Sequence, residues 1–154
     1  MDLSDLLSLE AVVPALKANS KKQVLQELAG RVAAQIGLPE REIFDVLQQR
    51  ERLGSTGVGH GVAIPHGKLA RLPKLTGLFA RLEKPVDFEA IDDLPVDLVF
   101  MLLAPEGAGA DHLKALARIA RVLRDSSIAQ KLRASTDPVA LFTVLTQPIS
   151  SHAA

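Results

Sequence analysis

Apolar residues at helical spacing mark the first legible element. Val24, Leu25, Leu28, Val32 and Ile36 recur every three or four positions, which puts them on one face of a helix. Ser20 and Gln23 form a capping box at its start, and Gly37 stops it. Pro39 suits the first turn of a second helix, with Glu40 and Glu42 near its positive end and Arg50 and Arg52 near its negative end. Ile43, Phe44, Val46 and Leu47 supply its buried face, and Gly54 ends it. Leu75 to Leu82 alternates as a strand does, and Val96 to Leu103 is a continuous apolar run suited to a strand covered on both faces. Pro85, Asp92, Asp93 and Pro95 mark the loop between them.

The second half reads as helices. After the flexible Gly107-Ala108-Gly109, an Asp111 to Asp125 helix carries an apolar stripe of Leu113, Leu116, Ala120 and Leu123, with Lys114, Arg118, Arg121 and Arg124 on other faces. A shorter helix should hold Ile128 and Leu132, and a last one should start at Asp137-Pro138 and bury Leu141, Phe142 and Leu145. No repeat or linker divides the chain. Helices before, between and after a few strands predict one α/β domain over residues 1–146, followed by a frayed tail at 147–154.

Composition narrows the setting. At 154 residues the chain can bury a continuous core without staples, and its lack of cysteine removes disulfides and thiolate metal sites, which fits a reducing cytoplasm. Eighteen basic and eighteen acidic residues leave no net charge, so the expected partners are proteins or small molecules, with no nucleic acid and no membrane insertion. The longest apolar run, Val96 to Ala104, carries Asp97 and is too short to span a bilayer. The acidic start Met1-Asp2-Leu3-Ser4-Asp5 is unlike the basic opening of a signal peptide. A cytoplasmic protein is expected.

The chemistry concentrates in Gly54-Ser55-Thr56-Gly57-Val58-Gly59-His60-Gly61-Val62-Ala63-Ile64-Pro65-His66-Gly67-Lys68. Pro65 biases Ile64 toward extended backbone and has no amide hydrogen, so a Val62-Ala63-Ile64 strand should stop there and leave the His66 imidazole at a sheet edge. Gly67 then allows a tight turn. A histidine beside glycine amides and Lys68 is suited to take and release an anionic group such as a phosphoryl; without its flanks it would read as a buried structural histidine. His112 falls in the first turn of a helix, where free amides attract anions, although a histidine there also serves as an ordinary polar residue beside an N-cap. Arg52 is either a charge at a helix C-terminus or a two-pronged phosphoryl ligand. Ser55 and Thr56 are either turn residues or hydroxyl donors.

Two other chemistries fail on spacing. The glycines precede a strand where dinucleotide and P-loop sites need them to follow one. His60, His66 and His112 match no recurrent metal spacing, so no metal is assigned, and His152 falls in the tail.

The run Gly61-Val62-Ala63-Ile64-Pro65-His66-Gly67 resembles the active-site signature of the mannitol/fructose-type enzyme IIA of the bacterial phosphoenolpyruvate-dependent phosphotransferase system. Arg50-Glu51-Arg52-Leu53-Gly54-Ser55-Thr56-Gly57, together with Lys68, resembles its nitrogen-regulatory branch. Similarity runs from about Leu3 to Thr146. The resemblance implies a small mixed β-sheet flanked by helices on both sides and a phosphohistidine carrier rather than a free-standing turnover enzyme, with no cofactor. It implies that His66 takes a phosphoryl group on Nε2 from an HPr-like carrier protein, that His112 hydrogen-bonds that group, and that an arginine just before the glycine loop lies close by, Arg52 as first choice and Arg50 as second, with Thr56, Ser55 and Gly67 in support. It further implies docking on targets such as potassium transport or sensor kinase proteins according to phosphorylation state, with Val58, Ile64 and Leu69 as candidate contacts. The alternatives are a sugar-specific enzyme IIA that passes the phosphoryl to an enzyme IIB, and a binding module that keeps the fold without the chemistry.

Overall fold

The computed structural model describes residues 2–147. After two short 3-10 turns at Leu3–Asp5 and Leu9–Ala11, the elements in chain order are β1 (Val12–Leu16), α1 (Lys21–Ile36), α2 (Glu40–Arg52), β2 (Gly57–Gly59), β3 (Val62–Ala63), β4 (His66–Leu69), β5 (Thr76–Val86), β6 (Val96–Pro105), α3 (Ala110–Arg124), α4 (Ser126–Arg133) and α5 (Pro138–Leu145).

The sheet is mixed and six-stranded, in the order β1-β5-β6-β3-β2 with β4 also paired to β6. β5 and β6 run antiparallel, whereas β1 on β5 and both β3 and β4 on β6 run parallel. Every side chain from Leu98 to Ala104 is buried, which requires cover on both faces of the sheet and agrees with an apolar run that does not alternate. Helices supply that cover, as the sequence reading expected. No helix among the described residues is long and apolar enough to cross a membrane.

The first helix forms for the reasons its sequence carries. Ser20 Oγ accepts from the Gln23 amide at 3.1 Å, and Gly37 closes the helix at φ 72°. Gln23 reaches back one residue further than the box requires and accepts from the Asn19 amide at 2.7 Å. Pro39 stands at the N-cap of α2 instead of inside its first turn.

Several expectations need correction. β4 shows that the chain does not leave the sheet at Pro65. Val62 pairs with Leu98, Ala63 with Val99, His66 with Leu102 and Gly67 with Leu103, so the register is the same on both sides of Ile64-Pro65. The Pro65 carbonyl accepts from the Leu102 amide at 2.9 Å, so the chain stays tied to β6 through the residue that brings no donor of its own. Gly67 is therefore a strand residue. A Cβ on it would collide with Val46 Cγ1 of α2, so glycine is needed for close approach of helix and strand.

Pro85 lies inside β5, where the pairing with β6 slips between Arg81 and Val86, and not in the following loop. β1 and β2 were absent from the sequence reading, one interrupted by Pro14 and the other read as glycine loop. On α3 the buried row is His112, Ala115, Ile119, Val122 and Leu123, whereas Leu113 is 68% exposed. Of the expected tail only Gln147 is described; the remainder, His152 included, lies outside the described residues.

Candidate functional site

His66 opens β4 on the strand that α2 packs against, and both ring nitrogens are engaged. Nδ1 lies 2.8 Å from the Ile64 carbonyl oxygen, which can only accept, so Nδ1 carries the proton and donates. Nε2 is then the nitrogen with the free pair, and it accepts from Arg50 Nε at 3.2 Å. Burial is the main influence that lowers the His66 pKa below 6.5; the Ile64 hydrogen bond pushes it up, the Arg50 charge pushes it down and Glu51 pushes it up. The net result favours a neutral imidazole with a nucleophilic Nε2.

Arg50 reaches the ring from the last turn of α2. Its NH1 donates to the Gly54 carbonyl at 2.9 Å, which tethers the guanidinium over the chain leaving the helix. Arg52 points elsewhere: it is exposed and makes no hydrogen bond or ion pair among the described residues. The arginine beside the histidine is thus the second choice of the sequence reading.

His112 approaches from the first turn of α3. Its ring centroid lies 5.6 Å from that of His66 with the planes inclined at 53°, and the residue is only 7% exposed. Its Nδ1 is buried without a hydrogen-bond partner among the described residues. Burial lowers its pKa from 6.5, helped by His66 and Lys68. The two rings thus lie side by side in surroundings that favour the neutral imidazole, one with its Nε2 pair shared with Arg50 and the other with a buried Nδ1 that lacks a partner.

The hydroxyls of the remaining sequence candidates are bonded within the chain. Thr56 is buried, and its Oγ1 donates to Glu51 Oε2. Ser55 Oγ donates to the Phe88 carbonyl and accepts from the Gly57 amide at 3.0 Å. Both hydroxyls are thus committed away from the imidazole. Ile64 and Leu69 are buried at 4% and 1% exposure, so neither can be a docking contact, while Val58 is half-buried. Glu51 escaped the sequence reading as anything beyond part of a motif, yet its carboxylate is buried in the turn next to Arg50. Its signal was present: it follows Ile43 and Leu47 at steps of four along the apolar row of α2. His60 lies apart from this group at φ 57°, its amide donating to Asp92 Oδ2 at 2.9 Å and its carbonyl accepting from Arg133.

Comparison with known proteins identifies the family. The family described as the phosphoenolpyruvate-dependent sugar phosphotransferase system, EIIA 2, matches residues 5–147. A nitrogen regulatory protein of Bradyrhizobium diazoefficiens is 64% identical over 153 residues, covering 99% of this chain and 100% of the relative. The crystal structure of nitrogen regulatory protein IIA-Ntr from Neisseria meningitidis superposes with a TM-score of 0.89 at 37% identity, covering 94% of this chain and 99% of that one. The mannitol IIA of Escherichia coli, at 24% identity and a TM-score of 0.76 over 90% of this chain and 98% of its own, shares the fold. The chain belongs to the EIIA type 2 family of the phosphotransferase system and is similar, within it, to the nitrogen regulatory proteins.

Proposed function

We propose that His66 Nε2 accepts a phosphoryl group from the phosphohistidine of an HPr-like carrier protein, and that the phosphorylation state of this chain then governs its binding to regulatory targets. The observation that carries the chemical half is the tautomer: the Ile64 carbonyl holds the proton on Nδ1, which leaves Nε2 unprotonated with its pair shared only with the Arg50 Nε–H. In the transfer that pair forms a new N–P bond in line as the donor's N–P bond breaks, and the bonding electrons return to the donor imidazole. Nδ1–H stays in place, so no proton moves in the step.

Arg50 has a double part. At rest its Nε–H occupies the very pair that attacks, so it must turn to the incoming phosphoryl oxygens while NH1 keeps its hold on Gly54. A guanidinium shared in this way offsets charge without leaving the site. His112 brings unmet hydrogen-bonding capacity to the same group. Leu53, 85% exposed just beyond Arg50, and Leu113, 68% exposed beside His112, are the apolar residues suited to meet a docking carrier.

The regulatory half rests on full-length similarity to a nitrogen regulatory protein. A phosphoryl group adds between one and two negative charges to a face that is otherwise apolar and cationic, so a target selected for one state is rejected in the other without refolding. The absence of cysteine suits action in the cytoplasm.

Intact-mass analysis after incubation with phosphoenolpyruvate and the two upstream phosphotransferase proteins tests the chemistry. One acid-labile phosphoryl on the wild type and none on His66→Ala supports it; none on a folded wild type refutes it. Binding of both forms to a potassium transporter, a sensor kinase and a sugar-specific enzyme IIB tests the purpose. Transfer to the enzyme IIB alone would replace regulation with sugar uptake.

A further inference from the structure

Glu51, in the last turn of α2, is a carboxylate with only 8% exposure, and a charge is buried at that depth only when its partners compensate it. Its partners are three. Lys21 Nζ approaches Oε1 at 2.9 Å, the Thr56 amide donates to the same oxygen at 3.1 Å, and the Thr56 hydroxyl donates to Oε2. The lysine comes from the first turn of α1 and is held in turn over the Phe88 ring at 5.3 Å.

From Glu51 two paths of contact lead to the two nitrogens of the His66 ring, one from its carboxylate and one from its backbone carbonyl. The first goes through Thr56: its carbonyl accepts from the Ile64 amide at 3.0 Å, and the Ile64 carbonyl accepts from His66 Nδ1 at 2.8 Å. The second goes through the end of α2. The Glu51 carbonyl accepts from the Gly54 amide at 3.1 Å, the Gly54 carbonyl accepts from Arg50 NH1 at 2.9 Å, and Arg50 Nε donates to His66 Nε2 at 3.2 Å. The carboxylate pins Thr56, the residue two beyond Gly54, so the segment between them is held at both ends.

We propose that Glu51, with Lys21 as its counter-ion, is the positioning residue of the phosphoryl site: by clamping Thr56 it sets both the Ile64 carbonyl that selects the Nδ1–H tautomer and the loop that aims Arg50 at Nε2. It touches neither the phosphoryl group nor the ring. The role rests on the reading of His66 as the acceptor for its purpose, but not for its geometry, which is present without any phosphoryl donor.

Glu51→Gln and Thr56→Val separate the contributions. Glutamine keeps an acceptor for the Thr56 amide but removes the charge that Lys21 neutralises. Valine keeps the Lys21 pair and removes only the hydroxyl. The readouts are long-range proton–nitrogen NMR spectra of the His66 ring, which report tautomer and titration midpoint in the unphosphorylated chain, and the rate of phosphoryl uptake. Expected for both variants are a folded chain by circular dichroism, loss of the pure Nδ1–H signature, and uptake slowed about 10-fold or more, the scale typical of lost orienting partners. Glu51→Gln also moves the His66 midpoint further down, since the carboxylate pushes it up.

Folded variants with wild-type tautomer, midpoint and uptake would overturn the proposal. Should Glu51→Gln not fold, Thr56→Val alone decides by the same readouts. If wild type takes no phosphoryl at all, the functional reading fails, while the tautomer measurement still decides the positioning claim.

Discussion

Replacing Gly67 with alanine adds one methyl group at the contact between β4 and α2, and the cost can be worked out from the residue it meets. The new Cβ would collide with Val46 Cγ1. Val46 is β-branched and sits inside a helix, where one χ1 rotamer dominates, so the methyl cannot swing aside and the helix or the strand must shift. Overpacking of this kind costs about 1–3 kcal/mol, which for a chain of 154 residues lowers Tm by roughly 2–12 °C. Val46→Ala removes the obstructing methyl at a cost of about 1 kcal/mol, since Val46 is only half-buried. In the double variant the clash is absent, so the two losses should add to less than their sum by about 1 kcal/mol or more. Thermal unfolding of the four proteins, followed by circular dichroism, measures this. Because Gly67 adjoins His66, and Val46 lies one turn before Arg50, Gly67→Ala alone should also slow phosphoryl uptake and the double variant should recover part of it. A Gly67→Ala protein with unchanged Tm, or strictly additive losses, would refute the close-approach reasoning.

Other substitutions bear on the site directly. Arg50→Gln removes a charged hydrogen-bond donor worth about 1.5–3 kcal/mol, so uptake should slow about 10- to 150-fold in a single-turnover assay, whereas Arg52→Gln should leave it unchanged. His112→Ala should slow transfer while leaving some acceptance, which time-resolved intact mass would show against the complete loss in His66→Ala. The NMR midpoint of His66 should lie below 6.5 and should rise in Arg50→Gln, since the arginine charge depresses it. Both histidines bind protons less readily folded than unfolded, so stability should fall as pH drops below 6.5 toward their folded-state midpoints; urea titrations should show that slope reduced in His112→Ala.

The sequence and the structure part company at identifiable places. The helices were legible because their signals are local: Ser20, Gly37 and the row from Val24 to Val32 needed nothing beyond their own spacing. β4 was hidden because Pro65 reads as a stop, and only the parallel partner β6 shows that the strand resumes in register. On α3 two apolar rows lie side by side, and the leucine-rich one drew the reading, whereas the row that faces inward begins with His112. The choice between arginines was within reach. Arg50 continues the row of Ile43, Val46 and Leu47, whereas Arg52 shares its face with Arg41, Asp45 and Gln48. The bonds of Ser55, Thr56 and Glu51 depend on Phe88, Lys21 and Ile64 from distant elements, and no local pattern reveals them.

The position of the phosphoryl group on the His66 ring is the measurement closest to the centre of the mechanism. Long-range proton–nitrogen correlation on the phosphorylated, nitrogen-labelled chain should show phosphorus coupling at Nε2 of His66, with the proton retained on Nδ1 and bonded to the Ile64 carbonyl. Phosphorus on Nδ1, or on any residue other than His66, would contradict it.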